Sequence, residues 1–284
     1  MPEDVHPLLA EGRLLVMPGV YDALSAKLAK RAGFGGAVLT GYGVAASLLG
    51  EPDFGLLTQT EIVDTARRIR AAVPDLGLVV DGDTGHAGPL NVQRLVRELV
   101  AMRATGVILE DQRWPKRCGH KRDKDVTDAD EHAAKIRAAV DARGDAHLFI
   151  TGRTDALATH GIEEALRRAK LYKDAGADVL FVEGPRTADE LKRIGAELEG
   201  PLALNLIEGG STPVVSLEQA AGFGYFSVGF VLSGLYASAA ALDRTYRQMR
   251  ALGSTDGIDM LRFDDFNEVV GLEQRYEEDG RYKA

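Results

Sequence analysis

The chain has 284 residues, of which 45% are hydrophobic and 27% charged, and its formal net charge is −9. This composition is that of a globular protein, and the length is normal for an α/β barrel. The acidic balance argues against nucleic acid as a main partner. The single cysteine excludes an internal disulfide framework and fits a reducing cytosol. The N-terminal stretch lacks the apolar core of a signal peptide, and no run of about 18 apolar residues suggests a membrane span. We therefore expect a cytoplasmic protein with no membrane partner.

A recurring sequence pattern predicts half of the strands. A helical run leads into a glycine and then a short apolar run, as in "RAGFGGAVLTG", "RATGVILED", "DAGADVLFVEG" and "AAGFGYFSVG". Glycine at a helix end, followed by a short apolar segment, is typical of a helix-to-strand joint. With the intervening apolar runs, eight strands are predicted, at residues 14–18, 36–40, 77–81, 106–110, 147–152, 178–182, 202–206 and 225–229.

The segments between these strands carry helical patterns. Thr58 and Glu61 form a capping box, and one apolar stripe contains Ile162, Ala165, Leu166, Ala169 and Tyr172. Alternating strands and helices imply a parallel sheet, and strands this apolar imply burial on both faces. Eight such units predict a (β/α)8 TIM barrel, whereas the missing Gly-x-Gly-x-x-Gly disfavours a dinucleotide-binding fold. We expect one domain over residues 1–284, in which 231–284 form a C-terminal helical extension.

Polar residues follow the predicted strands at the end where barrel enzymes place their chemistry. The third strand ends at Asp81 and Asp83 and the fourth at Glu110. Carboxylates that converge repel one another unless a cation lies between them, and oxygen ligands favour Mg²⁺, with Mn²⁺ possible. The alternative is that these residues are helix caps and salt-bridge partners. A zinc site at Cys118 and His120 is disfavoured because the chain has no second cysteine.

Two further strand ends have features that suit an anionic substrate. Arg153 lies at the end of the fifth strand, and its guanidinium group could bind a substrate carboxylate through two parallel hydrogen bonds. The backbone amides of Gly41, Tyr42 and Gly43, after the second strand, could hold an anionic oxygen because glycine allows close approach.

Several motifs together resemble the isocitrate lyase/phosphoenolpyruvate mutase superfamily: "DGDTG", "LEDQ", "PKRCGH" and "GRTDAL". The Lys-Arg-Cys-Gly-His signature is similar to that of the lyase branch. The segments "GYGVAASLLGEPDFGLLT" and "LEDQRWPKRCGH" resemble the corresponding segments of the subgroup that contains petal death protein and 2-methylisocitrate lyase. The likeness covers residues 17 to about 213 and, more loosely, the rest of the chain.

The resemblance implies a barrel whose last helix is swapped between subunits of a homotetramer, which would give the C-terminal extension a role in oligomerisation. It also implies roles for residues that match the family's motifs. The Mg²⁺ ligands, partly through water, would be Asp53, Asp81, Asp83 and Glu110. The substrate-binding residues would be Thr40, Gly41, Tyr42, Gly43 and Gly119 together with Arg153, Glu183 and Asn205. The catalytic residues, on a loop that closes over the substrate, would be Lys116, Cys118 and His120.

The chain differs from the residues usual in the family at His86, at Gly152 and at Gly184-Pro185. These differences do not change the reaction type that the resemblance implies, but they affect which substrate is expected. The implied substrate is a small carboxylic acid: a substituted malate, a 2-methylisocitrate-like 2-hydroxy acid or oxaloacetate.

The only cysteine lies among six Lys or Arg residues in "DQRWPKRCGHKRDKDV". We expect Cys118 to be the general acid of a retro-aldol cleavage, with Lys116, Arg117 and His120 favouring the thiolate that remains. The base that takes the hydroxyl proton is not identified; Tyr42 or a metal-bound water are candidates. The alternative enzyme is a phosphorus–carbon bond enzyme of the carboxyvinyl-carboxyphosphonate phosphorylmutase or phosphoenolpyruvate mutase type, which needs no protonating thiol. A non-catalytic alternative is a metal-dependent 2-oxo acid binding protein.

Overall fold

The computed structural model describes residues 14–120 and 124–283, so the N-terminal stretch and both ends of the expected domain lie outside the described residues. Eight parallel strands follow one another in chain order around a closed barrel, and the first pairs with the last. Their bounds are β1 Leu15–Val20, β2 Gly36–Leu39, β3 Gly77–Asp81, β4 Gly106–Glu110, β5 Phe149–Thr154, β6 Val179–Val182, β7 Leu202–Asn205 and β8 Ser227–Phe230. The prediction of a TIM barrel is confirmed.

Helices connect the strands and continue after the last one. Their bounds are α1 Ala23–Arg31, α2 Gly41–Val44, a π-helical turn Ala45–Leu49, α3 Gln59–Ala72, α4 Pro89–Ala101, α5 Ala129–Arg143, α6 Ala156–His160, α7 Ile162–Asp174, α8 Ala188–Glu197, α9 Leu217–Gly222, α10 Ser233–Leu252, α11 Phe263–Val270 and α12 Leu272–Gly280. The capping box predicted for Thr58 and Glu61 starts α3, with both reciprocal hydrogen bonds present. In α7 the predicted stripe is buried except for Ile162, which is partly covered.

The strand predictions hold to within about two residues. Strands β3 and β4 match their predicted bounds, whereas β5 begins at Phe149 rather than at residue 147. The shift arises because the amide of Leu148 donates to the carbonyl of Ala146 at 2.9 Å, which keeps the preceding residues in a turn.

The helices after the barrel are poorly covered. α10 has no buried residue, and α11 buries only Val269. Leu252 is 72% exposed and Phe263 82% exposed, and other large apolar side chains of this segment are also open to solvent. An apolar face of this size is typical of an interaction surface. No helix in residues 14–120 and 124–283 is long and apolar enough to span a membrane.

Candidate active site

A cavity opens at the carboxyl ends of the barrel strands. It brings together these residues predicted from the sequence: Thr40, Tyr42, Asp53, Asp81, Lys116, Cys118, Gly119, His120, Arg153, Glu183 and Asn205. Asp83 and Glu110 are buried next to this group. A wider depression at the amino ends of β2 to β5 contains none of the predicted residues. The convergence follows from barrel topology, because the carboxyl ends of all eight strands meet at one face.

A long loop after β4 carries Lys116, Cys118 and His120 into this cavity. Its two arms are joined where the amide of Arg113 donates to the carbonyl of Asp125 and the amide of Thr127 donates to the carbonyl of Asp111, each at 2.8 Å. The side-chain amide of Gln112 holds the backbone of Arg117 through two bonds of 2.8 Å. Backbone bonds and the side chain of Gln112 therefore hold the described parts of the loop together.

Lys116 lies among the predicted metal ligands. Its Nζ is 2.5 Å from Asp53 Oδ1 and 2.7 Å from Asp83 Oδ1, and all three side chains are buried. Asp81 is held next to them, because its carboxylate accepts from the amide of Gly41 at 3.1 Å and from that of Asp83 at 3.2 Å. Asp83 thus forms a salt bridge of the kind that the alternative interpretation expects, and this contact does not exclude a metal.

The carboxylates of Asp53, Asp81, Asp83 and Glu110 leave buried oxygens that a cation could satisfy. Oδ2 of Asp83 and Oε1 of Glu110 are buried with no hydrogen-bond partner among the described residues. Burial, reinforced by the charges of Asp81 and Asp53, raises the pKa of Asp83 to about 7 although Lys116 acts against it. Such oxygens need a cation. In the described part of the chain, no three His, Cys, Asp or Glu side chains converge closely enough to ligate one ion directly. The residues therefore fit a cation that keeps part of its water shell, as Mg²⁺ usually does.

Arg153 is the centre of a second charged group. Its Nη2 is 3.1 Å from Glu110 and 3.3 Å from Glu183, and its Nε donates to Asp155 at 2.9 Å. Three carboxylates around one guanidinium outweigh its loss of solvation and raise the pKa of Arg153. Arg153 is thus held rigidly, and the hydrogen bonds found among the described residues use Nε and Nη2, not Nη1.

The loop packs directly against this group at Gly119 and His120. A Cβ at Gly119 would lie 2.5 Å from Cγ of Glu183 and closer still to Nη2 of Arg153, so only glycine fits. His120 Nε2 is 2.8 Å from Oε1 of Glu183, while Nδ1 accepts from the amide of Ser211 at 3.1 Å. The bond from Ser211 leaves the proton of a neutral ring on Nε2, which faces the carboxylate of Glu183.

The described cations near Cys118 do not offset its burial, and Arg153 is the one among them that lowers the pKa of the thiol. Burial, together with the charges of Asp53 and Glu183, raises the pKa of the thiol to about 11. Lys116 is committed to its two carboxylates, and the guanidinium of Arg117 lies 3.8 Å from the ring centre of Phe54. A thiol with a raised pKa keeps its proton at neutral pH, which suits a proton donor and not a resting nucleophile.

Two predicted substrate-binding residues do not reach the cavity wall. Gly41 uses its amide to hold Asp81, and Gly43 is buried, where a Cβ would lie 2.9 Å from Cβ of Tyr21. Both belong to α2, which begins directly after Thr40. Tyr42 does line the cavity, and its ring contacts that of Tyr236 edge-on, with 6.5 Å between the ring centres.

The residues that differ from the usual family motifs have local physical explanations in the structure. A Cβ at Gly152 would lie 2.9 Å from Cβ of Tyr172, and Gly184 has φ 71°, a left-handed conformation that favours glycine. His86 has φ 58°, and its ring centre lies 6.0 Å from that of Trp114 in the loop. His86 therefore contacts the loop beside the acidic group.

The sequence predicted no site role for several residues that support the site. Asp155 and Lys124 form a buried pair at 2.9 Å, and Asp111 accepts from Tyr172 and Arg168 at 2.7 and 3.0 Å. Asp155 follows Arg153 by two positions in "GRTDAL", which was a usable signal. Lys124 was one of several cations in a run, and nothing in the sequence distinguished it.

Comparison with known proteins agrees with this geometry. A family model described as phosphoenolpyruvate phosphomutase matches residues 5–250. The petal death protein of Dianthus caryophyllus is 50% identical over 98% of this chain and 88% of its own length. A chloroplastic carboxyvinyl-carboxyphosphonate phosphorylmutase of Arabidopsis thaliana is 45% identical, over 98% and 83%. The 2,3-dimethylmalate lyase of Eubacterium barkeri is 39% identical, over 98% and 96%.

Solved structures give the same result. An oxaloacetate acetylhydrolase in complex with 3,3-difluorooxalacetate superposes with a TM-score of 0.93 at 36% identity, covering 96% of this chain and 94% of that one. A phosphonopyruvate hydrolase in complex with oxalate and Mg²⁺ has a TM-score of 0.86 at 27% identity, covering 97% and 96%. The expectation of an enzyme of the carbon–carbon lyase type is confirmed. The chain belongs to the phosphoenolpyruvate mutase/isocitrate lyase superfamily.

Proposed function

We propose that this chain is a Mg²⁺-dependent lyase that cleaves the C2–C3 bond of a substituted malate, a 2-methylisocitrate-like 2-hydroxy acid or oxaloacetate, with Cys118 as the general acid. The observation that carries the proposal is the position of the Cys118 thiol in the cavity, on a loop seated against Arg153 and Glu183. Carbon–carbon cleavage of this kind leaves a carbanion that must receive a proton, and this thiol is a suitable donor.

Substrate carboxylates bind where the cavity offers fixed donors. Arg153 supplies its guanidinium, and Asn205, at the end of β7, supplies a neutral amide on the same wall. Because Arg153 is already held by Glu110, Asp155 and Glu183, it loses little conformational freedom when it binds an anion.

The cleavage then proceeds as a retro-aldol reaction. A base takes the proton of the C2 hydroxyl, C2 becomes the carbonyl of a 2-oxo acid, and the electrons of the C2–C3 bond pass to C3. The resulting carboxylate-stabilised enediolate takes the proton of the Cys118 thiol and leaves as a saturated acid. Oxaloacetate enters the same scheme as its C2 hydrate, which gives oxalate and acetate. Tyr42 is the candidate base on the cavity wall.

The carboxylates of Asp53, Asp81, Asp83 and Glu110 would hold Mg²⁺, partly through water, and the ion would supply positive charge for the 2-oxo acid and its developing oxyanion. Lys116 keeps Asp53 and Asp83 in place from the loop side. His120 fixes the orientation of Glu183 by the contact of 2.8 Å.

A phosphorus–carbon bond enzyme is the second candidate. It is favoured by the 45% identity to the plant carboxyvinyl-carboxyphosphonate phosphorylmutase. It shares the barrel and the acidic group, but its chemistry gives the Cys118 thiol no proton to deliver. The two candidates therefore differ in what happens when the thiol is removed.

The test is a panel of substrates read by mass spectrometry. Alkylmalates, 2-methylisocitrate, oxaloacetate and phosphonopyruvate are incubated with the protein and Mg²⁺, with a chelator as the matched control. The proposal expects a 2-oxo acid or oxalate together with a saturated acid, and in D₂O one deuterium on the carbon that was C3. Formation of phosphoenolpyruvate from phosphonopyruvate, without cleavage of any diacid, would overturn it.

The assembly and compartment are part of the proposal. We infer that residues 231–284 bind neighbouring subunits in a homotetramer, with the last helix swapped, because α10 and α11 leave their apolar side chains exposed in the single chain. The cysteine acts as an acid only while it is reduced, which favours the cytosol or another reducing compartment.

A further inference from the structure

Lys124 is a buried lysine on the far arm of the loop. Its Nζ donates to the carbonyl oxygen of Gly119 and also to Oδ1 of Asp155, the latter at 2.9 Å. The side chain of Lys124 is 3% exposed and that of Asp155 is fully buried. A buried ammonium group is costly unless its donors are satisfied, so this pair is a specific contact between the loop and the barrel.

Asp155 connects this contact to Arg153. The same carboxylate accepts from Arg153 Nε at 2.9 Å and from its Nη2 at 3.2 Å. On the other side, Arg153 contacts Glu183, which in turn contacts His120. The loop is therefore attached at two points after Gly119, His120 and Lys124, to carboxylates that both hold Arg153.

We propose that Lys124 is a positioning residue that fixes the carbonyl of Gly119, and with it the thiol of Cys118, against the Arg153 group. The carbonyl of Gly119 lies in the planar peptide unit that joins Gly119 to His120, so holding it fixes the backbone one residue after Cys118 and restricts where the thiol can lie. Lysine suits this position because one ammonium group has three donors, enough to reach a backbone carbonyl and a carboxylate together. The role of the thiol in turnover rests on the proposed function; the attachment of the loop does not.

The alkylation rate of Cys118 measures this attachment without an activity assay. Cys118 is the only cysteine, so iodoacetamide uptake measured by intact-protein mass spectrometry reports on it alone. Lys124→Met keeps the length of the side chain and removes its charge and donors. Because a charge-assisted hydrogen bond is lost, we expect the thiol to be alkylated about tenfold faster or more. If the substitution only removed a nearby cation and did not move the loop, the alkylation rate would fall, because the pKa of the thiol would rise.

Lys135→Met is the matched control. Lys135 is also a buried lysine, and its Nζ donates to the carbonyl of Thr84 at 3.3 Å, away from Gly119 and Asp155. We expect its alkylation rate to equal that of the wild type. With the proposed substrate, Lys124→Met should lower kcat more than it changes KM, because it displaces the acid and leaves Arg153 in place.

An unchanged or slower alkylation rate in folded Lys124→Met, with circular dichroism like that of Lys135→Met, overturns the proposal. If Lys124→Met does not fold, Lys124→Ala decides in the same way, because it also removes every donor to the carbonyl of Gly119; an unchanged rate overturns the proposal. If the wild type cleaves none of the acids tested, the proposed function fails while the alkylation result still stands for or against Lys124.

Discussion

Gly119→Ala is the substitution for which the structure gives the sharpest expectation. The added methyl would lie 2.5 Å from Cγ of Glu183, whereas ordinary contact begins at 3.4 Å. Glu183 and Arg153 cannot move aside without losing ion pairs. Glu183 contacts His120 and Arg153, and Arg153 also contacts two further carboxylates. The loop must therefore retreat.

The size of the effect follows from this distance. Restoring ordinary contact requires a displacement of about 1 Å, and a misplacement of that size can cost about 10²-fold in rate. That loss corresponds to about 2.7 kcal/mol of transition-state stabilisation. Since the barrel is untouched, we expect the free energy of unfolding to change much less than the activation barrier.

The assay compares kcat, thermal unfolding and Cys118 alkylation in Gly119→Ala and Gly222→Ala. Gly222 ends α9, and a Cβ there would meet no atom within 4 Å. The control should keep full activity and gain a few tenths of a kcal/mol in stability, because alanine is the better helix former. Wild-type kcat in Gly119→Ala would refute the view that the loop must seat against Arg153 and Glu183.

Three further predictions concern the thiol, the metal and the assembly. Because the pKa of Cys118 is raised to about 11, its alkylation rate should rise about tenfold per pH unit between pH 8 and 10 as the thiolate fraction grows; a plateau near pH 8 would contradict this. Asp81→Ala should abolish Mg²⁺-dependent turnover with unchanged circular dichroism, since it removes one of four mutually repelling carboxylates; wild-type turnover with the same Mg²⁺ dependence would exclude the site. Light scattering at assay concentration should give a homotetramer, because the exposed apolar helices need a partner; a fully active monomer would contradict the swap.

The barrel could be predicted from the sequence because its strands are apolar and bounded by glycine and acidic residues. β3 and β4 were predicted to the residue for this reason, and the polar strand ends had to converge once the topology was fixed. The site residues Arg153, Glu183 and Asn205 followed from that topology together with the family resemblance.

The electrostatics of the loop could not be predicted in the same way. In the sequence, Cys118 is surrounded by cations, but in space burial raises its pKa, and the charges of Asp53 and Glu183 add to that rise. Asp53 reaches the loop from more than sixty positions earlier in the chain, and it binds the lysine expected to serve the thiol. Sequence order does not say which carboxylate a lysine meets, so the pairing of Lys124 with Asp155 was equally hidden.

The central claim is that Cys118 delivers the proton that completes carbon–carbon cleavage, and Cys118→Ser tests it most directly. Serine is nearly isosteric with cysteine, but its hydroxyl is far less acidic than a thiol. On the best substrate of the panel, kcat should fall about 10²–10⁴-fold, the usual contribution of general acid catalysis, while KM stays close to that of the wild type. A kcat within about threefold of wild type, far below that contribution, would show that the thiol is not the acid and would move the phosphorus–carbon reaction ahead.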